Sequence, residues 1–363
     1  MHNFAKRRDR LRKKLRKHQV PGILITNPTN VGYLTGFSGE DSYLLVAGDE
    51  DLILSDERFT TQLEEECPDV ELSIRGPGEK MIERLGTELA RCKLGTLGFE
   101  SNSVTVAQHR ALDHATKKCD LVACDGWVEE LRVIKDRGEV AKTRLACDQA
   151  RRAFDVVRAG LTPDQTELEV AAELEYQARR LGGKCLSFPP IVATGARAAL
   201  PHASPTNQRI GAADFTLIDW GVNEAQYVSD LTRILVTGKI SPKLRKIYGV
   251  VLKAQMAAID AIRPGISCEQ VDQVARKIIA KAGYDKQFGH GLGHGTGLDV
   301  HEAPRLSRGQ SEELKPGMIV TVEPGIYLPG WGGVRIEDDI LVTKNGHEVL
   351  SSVPKELDDC LVG

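Results

Sequence analysis

Apolar residues follow two different patterns along this chain. In the first third, short apolar runs alternate with helical stretches. GILITN (22–27), YLLVAG (43–48), DLILSD (51–56) and TLGFE (96–100) read as buried strands, with the turn GDED between the second and third. QLEEE (62–66) and EKMIERLGTELARC (79–92) read as helices. This is the pattern of an α/β unit. FAKRRDRLRKKLRKHQ (4–19) is predicted to be an amphipathic first helix, with Phe4, Leu11 and Leu15 inward and its Arg/Lys face in water. A junction falls near Trp127 to Arg137. After it, GEVAKTRLACDQARRAFDVV (138–157) opens a long helix with Val140, Leu145 and Phe154 among its apolar positions. The division is drawn at 1–130 and 131–363.

The second part repeats itself. AGLTPDQTELEVAAELEYQARRLGG (159–183) and PGISCEQVDQVARKIIAKAGY (264–284) each follow a long amphipathic helix. Thr162/Gln165 and Ser267/Gln270 fit capping boxes, in which side chains satisfy the orphan N–H groups of a helix start. Gly182 and Gly283 fit left-handed helix ends. Strand-rich segments follow each copy, as expected of two packed α+β halves.

Those segments carry the candidate chemistry. TLIDWGV and QYVSDLTRILVTG read as antiparallel strands joined at VNEA, a hairpin able to bring Asp219 and Asp230 face to face. Taken alone, such aspartates are commonly turn or capping residues. IVTVEPGIY and GGVRIEDDILVT read as a second hairpin. Glu323 stands there among Val320, Val322 and Ile326, where a carboxylate is costly unless paired or metal-bound. Glu337, Asp338 and Asp339 compete for one ligand role, and Glu337 is favoured. Arg335 shares its face and is expected to orient it or to meet the substrate. GHGLGHGTG has glycine at every second position from 289 to 297, which sets His290, Leu292, His294 and Thr296 on the opposite face. Four carboxylates and one imidazole (Asp219, Asp230, His294, Glu323, Glu337) exceed the needs of one structural zinc and suit two divalent ions that activate a water. Ligation rich in oxygen and free of thiolate favours manganese, cobalt or zinc. His202, in ALPHASPTN, is a further candidate.

Composition narrows the alternatives. A net charge of −3 over 363 residues gives no reason to expect nucleic acid. No apolar run approaches the length of a membrane span, and the N-terminus has no secretory apolar core. Eight scattered cysteines without C-x-x-C spacing read as reduced, mostly buried thiols of a cytoplasmic protein. HEAPR departs from H-E-x-x-H at Arg305, and no G-x-S-x-G string supports a serine nucleophile.

These strings resemble the pita-bread metallopeptidases, the group of aminopeptidase P, prolidase, creatinase and methionine aminopeptidase. NPTNVGYLTGFSG and LSDERFTTQ resemble the creatinase-type N-terminal domain of the Xaa-Pro peptidases. The resemblance implies an α+β pita-bread catalytic domain with a pseudo-twofold internal repeat, preceded by a smaller α/β creatinase-like domain. It implies a metal set of Asp219, Asp230, His294, Glu323 and Glu337, with Asp230 and Glu337 bridging and manganese as the first choice. His202, His301 and Glu323 would act in catalysis. His202, His301, Arg305 and Arg335 would meet the substrate. The implied activity is hydrolysis of the bond between an N-terminal residue and a following proline by a metal-bridging hydroxide, in a homodimer. Dipeptide hydrolysis of the prolidase kind is the alternative, Arg305 resembling the prolidase arrangement. A metal-free creatinase-like hydrolase and a non-enzymatic binding protein are the remaining readings.

Overall fold

The computed structural model describes residues 4–116 and 119–362, which fall into two compact units, 1–132 and 133–363. In the first, a six-stranded sheet runs in the order Glu71–Arg75, Glu50–Asp56, Tyr43–Ala47, Gly22–Ile25, Thr96–Phe99, Asp120–Ala123. Gly22–Ile25 pairs antiparallel with Tyr43–Ala47 and parallel with Thr96–Phe99. Its four residues are all buried, which is why the strand is continuously apolar rather than alternating.

The basic helix Phe4–Lys17 departs from the expected amphipathic split. Leu11 and Leu15 are buried, but so are Arg7, Arg8 and Arg12. Arg8 donates to Asp51 at 2.7 Å and to Asp69 at 2.6 Å, and Arg12 donates to Asp51 at 2.7 Å. Arg7 and Arg8 also reach the carbonyls of Tyr33 and Leu34, in the last turn of the helix Pro28–Thr35. Cations are favoured at a helix C-terminus, where carbonyls lack partners. Three of the helix's nine basic side chains therefore pack inward against charge and dipole.

The second unit consists of two similar halves. Helices Arg137–Ala159 and Glu167–Arg180 accompany a sheet ordered Leu231–Val236, Phe215–Trp220, Ile191–Thr194. Helices Pro242–Ala261 and Cys268–Lys281 accompany a sheet ordered Glu302–Leu306, Gly293–Gly295, Ile319–Val322, Asp338–Val342, His347–Val349. The correspondence extends to single hydrogen bonds. Thr166 bridges Arg209 where Ser267 bridges Glu313. The Glu167 amide donates to Gln208 O where the Cys268 amide donates to Glu312 O. A bridge between Thr232 and Glu337 joins the two sheets.

Several local expectations shift. The first capping box uses Thr166 and Glu169; Thr162 and Gln165 form a turn just before it, and the helix starts where an acidic residue can sit at its third position. Leu145 is 45% exposed, whereas Phe154 is buried and stacks on Trp220 with ring centroids 4.3 Å apart. In the first hairpin Asp219 opposes Thr232, so Asp230 lies diagonal to it rather than face to face. The cause is an inserted small sheet of Val222–Glu224 and Tyr227–Val228, turning at Ala225 and Gln226, both with positive φ. Gly221 permits the pinch at its base, because a Cβ there would lie 1.8 Å from Ser229 O. The second hairpin is two successive ladders, Ile319–Val322 with Asp338–Val342 and Gly325–Leu328 with Gly332–Arg335.

Candidate metal centre

A pocket of about 890 Å³ in the second unit is lined by Asp219, Asp230, His294, Glu323 and Glu337 together. One ligand atom each from Asp230, His294 and Glu337 lies within 4.8 Å of the others. Asp219 and Asp230 come from the sheet of the first half. His294, Glu323 and Glu337 come from the second. The Thr232–Glu337 bridge brings these edges together.

His294 reaches the pocket because the strand around it is almost bare. A Cβ on Gly293 would lie 2.0 Å from Thr321 O, and one on Gly295 would lie 2.1 Å from Ala303 O. Alternate glycines let the neighbouring strands close in on both sides. With Nδ1 directed at Gly295 O, 3.1 Å away, Nε2 is left facing Glu323 at 3.3 Å and Asp230 at 3.8 Å. Fixing one ring nitrogen on a carbonyl presents the other as a ligand.

Arg335 is the hub of the pocket floor. Its Nη2 donates to Asp219 Oδ2 at 2.5 Å, its Nη1 to the Tyr327 hydroxyl at 2.8 Å and its Nε to Thr232 Oγ1 at 3.0 Å. Thr232 in turn donates to Glu337 Oε2 at 2.6 Å. Of the two roles expected for Arg335, these contacts match the orienting one. It is exerted directly on Asp219 and through Thr232 on Glu337. Arg335 lines the pocket with its side chain 3% exposed and its nitrogens engaged in these bonds.

The three consecutive acidic residues separate cleanly. Asp338 accepts from Arg233, Lys355, Gln255 and Ser351. Asp339 accepts from the Asp230 amide at 2.9 Å and from the Cys147 thiol at 3.3 Å. Glu337 alone of the three lines the pocket. His290 turns to the Tyr327 hydroxyl at 3.0 Å rather than to the carboxylates.

Burial together with mutual repulsion sets the electrostatics. Burial, then the charge of Glu337, pushes the Asp230 carboxyl well above its ordinary value. Burial, then Glu323 and Asp219, does the same to Glu337. Burial would also raise Glu323, but the hydrogen bond and charge of His294 outweigh it and hold Glu323 below its usual range. Asp230 and Glu337, packed this way without a cationic partner of their own, are compensated either by a proton or by a bound cation. Asp219 Oδ1 is buried with no hydrogen-bond partner among the described residues. An oxygen-rich set with an orphaned, inward carboxylate oxygen fits a divalent ion.

His202, His301 and Arg305 also line the pocket, and all three are exposed. The His301 ring lies 4.3 Å from that of His294. The sequence reading passed over Thr232, Tyr327, Asp272 and Arg276. Buried Asp272 and half-buried Arg276 form an i,i+4 pair at 2.6 Å that accepts from the Leu292 amide and donates to Phe288 O, holding the segment ahead of His294. Their helical spacing was the one visible signal, and it does not tell a clamp from an ordinary surface pair.

The profile of metallopeptidase family M24 matches residues 141–344, and that of the creatinase/prolidase N-terminal domain matches residues 7–134. An uncharacterized peptidase of Bacillus subtilis is 38% identical over 96% of this chain and 98% of its own length. Among solved structures, an Xaa-Pro dipeptidase from Bacillus anthracis superposes with a TM-score of 0.95 at 35% identity, covering 99% of this chain and 100% of that one. An X-Pro aminopeptidase from Thermotoga maritima gives 0.88 at 33% identity, covering 94% and 99%. The two similar halves are those of the pita-bread fold, and the chain belongs to metallopeptidase family M24, with a creatinase/prolidase N-terminal domain ahead of its catalytic unit.

Proposed function

We propose that this chain is an Xaa-Pro aminopeptidase, removing an N-terminal residue that precedes proline. The observation that carries this reading is the convergence of Asp219, Asp230, His294, Glu323 and Glu337 in one pocket whose wall presents His202 and His301. Those five residues would hold two divalent cations, manganese first, with cobalt or zinc as the other choices. When bound, the ions supply Lewis acidity and a water ionised near neutral pH. Asp230 and Glu337, each with a ligand atom within 4.8 Å of the other and of His294, would be the carboxylates shared between the two ions. Glu323, held ionised by His294, takes the proton of the attacking water and delivers it to the proline nitrogen. The exposed imidazoles of His202 and His301 hold the substrate backbone and the developing oxyanion.

Arg305 favours a second reading, dipeptide hydrolysis of the prolidase kind. Its guanidinium is exposed on the pocket wall, where a dipeptide's free carboxylate would need a cation. We further propose a cytoplasmic homodimer that binds neither nucleic acid nor membrane; no helix among the described residues is long and apolar enough to cross a bilayer. The deciding experiment strips the protein of metal, restores manganese, and compares an Xaa-Pro dipeptide with an Xaa-Pro-Yaa tripeptide. Tripeptide cleavage supports the first reading. Cleavage of the dipeptide alone supports the second. Cleavage of neither by metal-loaded protein overturns both. Light scattering tests the dimer.

A further inference from the structure

Glu167 is 0% exposed, yet it is not one of the residues that line the metal pocket. It is the first residue of the helix Glu167–Arg180. Its Oε1 accepts from the Thr194 amide at 2.8 Å. Its Oε2 accepts from the Thr206 amide at 2.9 Å and the Thr206 hydroxyl at 2.7 Å. Arg197 Nε lies 3.1 and 3.0 Å from the two oxygens. Thr194 and Thr206 are the two ends of one loop. Between them lie Pro201, His202, Ala203, Ser204 and Pro205, which form one wall of the pocket. Arg197 also donates to Ser204 O, tying the middle of the loop to the same anchor.

The internal repeat supplies a control. Cys268 occupies the matching place in the second half, with the same amide bond to the segment that follows its helix, and it is also fully buried. The fold therefore accepts a neutral thiol at this helix start. A buried carboxylate is costly to desolvate, and only the bonds it makes offset that cost. In the first half those bonds all go to the loop that carries His202.

We propose that Glu167 is a positioning residue, which sets His202 against the substrate by clamping both ends of its loop. The inference rests on the reading of His202 as a substrate contact. It predicts a double-mutant cycle that is not additive, because a clamp acting through His202 has nothing to position once that imidazole is gone.

The test compares manganese-loaded wild type, Glu167→Gln, His202→Ala and the double variant on the Xaa-Pro peptide that wild type cleaves. Metal content and amide hydrogen exchange are measured alongside. Glu167→Gln is expected to keep its full metal complement and lower kcat/KM at least tenfold, but less than twofold in the His202→Ala background. Amides of residues 194–206 should exchange faster in Glu167→Gln. Equal losses in both backgrounds, or no loss in either, would overturn the inference while leaving the proposed function standing. A harmless His202→Ala would overturn the role of His202 and this inference together, as would a wild type inactive on every such peptide. If Glu167→Gln does not fold, Thr206→Val replaces it in the same cycle, with an expected loss of about threefold that should likewise vanish without His202.

Discussion

Glu323 and Glu337 face each other at the gap between two antiparallel ladders that share one register. On one side Val322 opposes Asp338; on the other Gly325 opposes Arg335. The intervening residues bring these two glutamates level. They lie on the same side of the sheet with the pairing interrupted between them, and both side chains line the pocket. Two carboxylates set opposite each other in a buried hairpin repel strongly. Several consequences follow from that arrangement.

Removing a carboxylate should have opposite effects on stability with and without metal. Asp230→Asn or Glu337→Gln is expected to raise the thermal midpoint of chelated protein, because it relieves buried repulsion. The same change should lower metal affinity and activity by more than about 100-fold, beyond the range seen when a ligand's outer partner is lost. Scanning calorimetry with and without chelator, together with metal analysis, checks both signs. A midpoint that falls in chelated protein would contradict the repulsion argument.

The chelated protein should lose stability as pH rises from about 4 to 8. Asp230 and Glu337 have raised values in the fold, and Asp339 is pushed up to about 7, by burial first. A carboxyl with a raised folded value binds its proton more tightly when folded. Its stabilisation is complete below the ordinary carboxylate value and is lost as pH climbs through the raised one. Asp56, held at about 2 chiefly by Arg58, works in the opposite sense, but only below pH 4. Urea midpoints of chelated protein across this range give the slope, and metal uptake near pH 7 should release protons to an indicator dye.

Arg335→Met should destabilise the protein by about 3–5 kcal/mol, since it leaves the Asp219 carboxylate buried without its partner. Arg335→Lys should recover only part of this, because one ammonium cannot serve Asp219, Tyr327 and Thr232 in the planar directions of a guanidinium. Chemical denaturation of chelated protein, in which no cation meets Asp219, measures both. Equal stability of the lysine variant and wild type would argue against the three-way geometry.

Arg305→Ala separates the two substrate readings. A charge-assisted bond to a free carboxylate is worth about 1.5–3 kcal/mol, or roughly 10- to 150-fold in kcat/KM. The variant should lose that factor on dipeptides and much less on tripeptides, whose carboxylate lies one residue further out. Equal losses on both would remove Arg305 from carboxylate recognition.

Much of this was legible in the chain because strong local chemistry marks it. The glycines flanking His294 and the isolated Glu323 in an apolar strand point to a site without coordinates. The capping residues Ser267 and Gln270 and the end glycines Gly182 and Gly283 mark helix limits by backbone geometry alone. What was hidden is of another kind. Arg8 and Arg12 read as solvated charge until Asp51 and Asp69, some forty to sixty residues away, are placed beside them. Thr232 is an ordinary strand threonine until Arg335 and Glu337 close on it from a distant strand.

The sequence by itself marked the two-part organisation, the repeated halves and five candidate ligands among the residues that line the pocket, because periodicity, caps and isolated charges are local properties. Only the tertiary structure decided that Asp230 lies diagonal to Asp219, that Glu323 opposes Glu337, that Arg335 is turned inward, and that Glu167 holds both ends of the His202 loop. Register, burial and hydrogen-bond partnership across a hundred residues depend on which surfaces meet, and no local pattern of residues encodes that meeting.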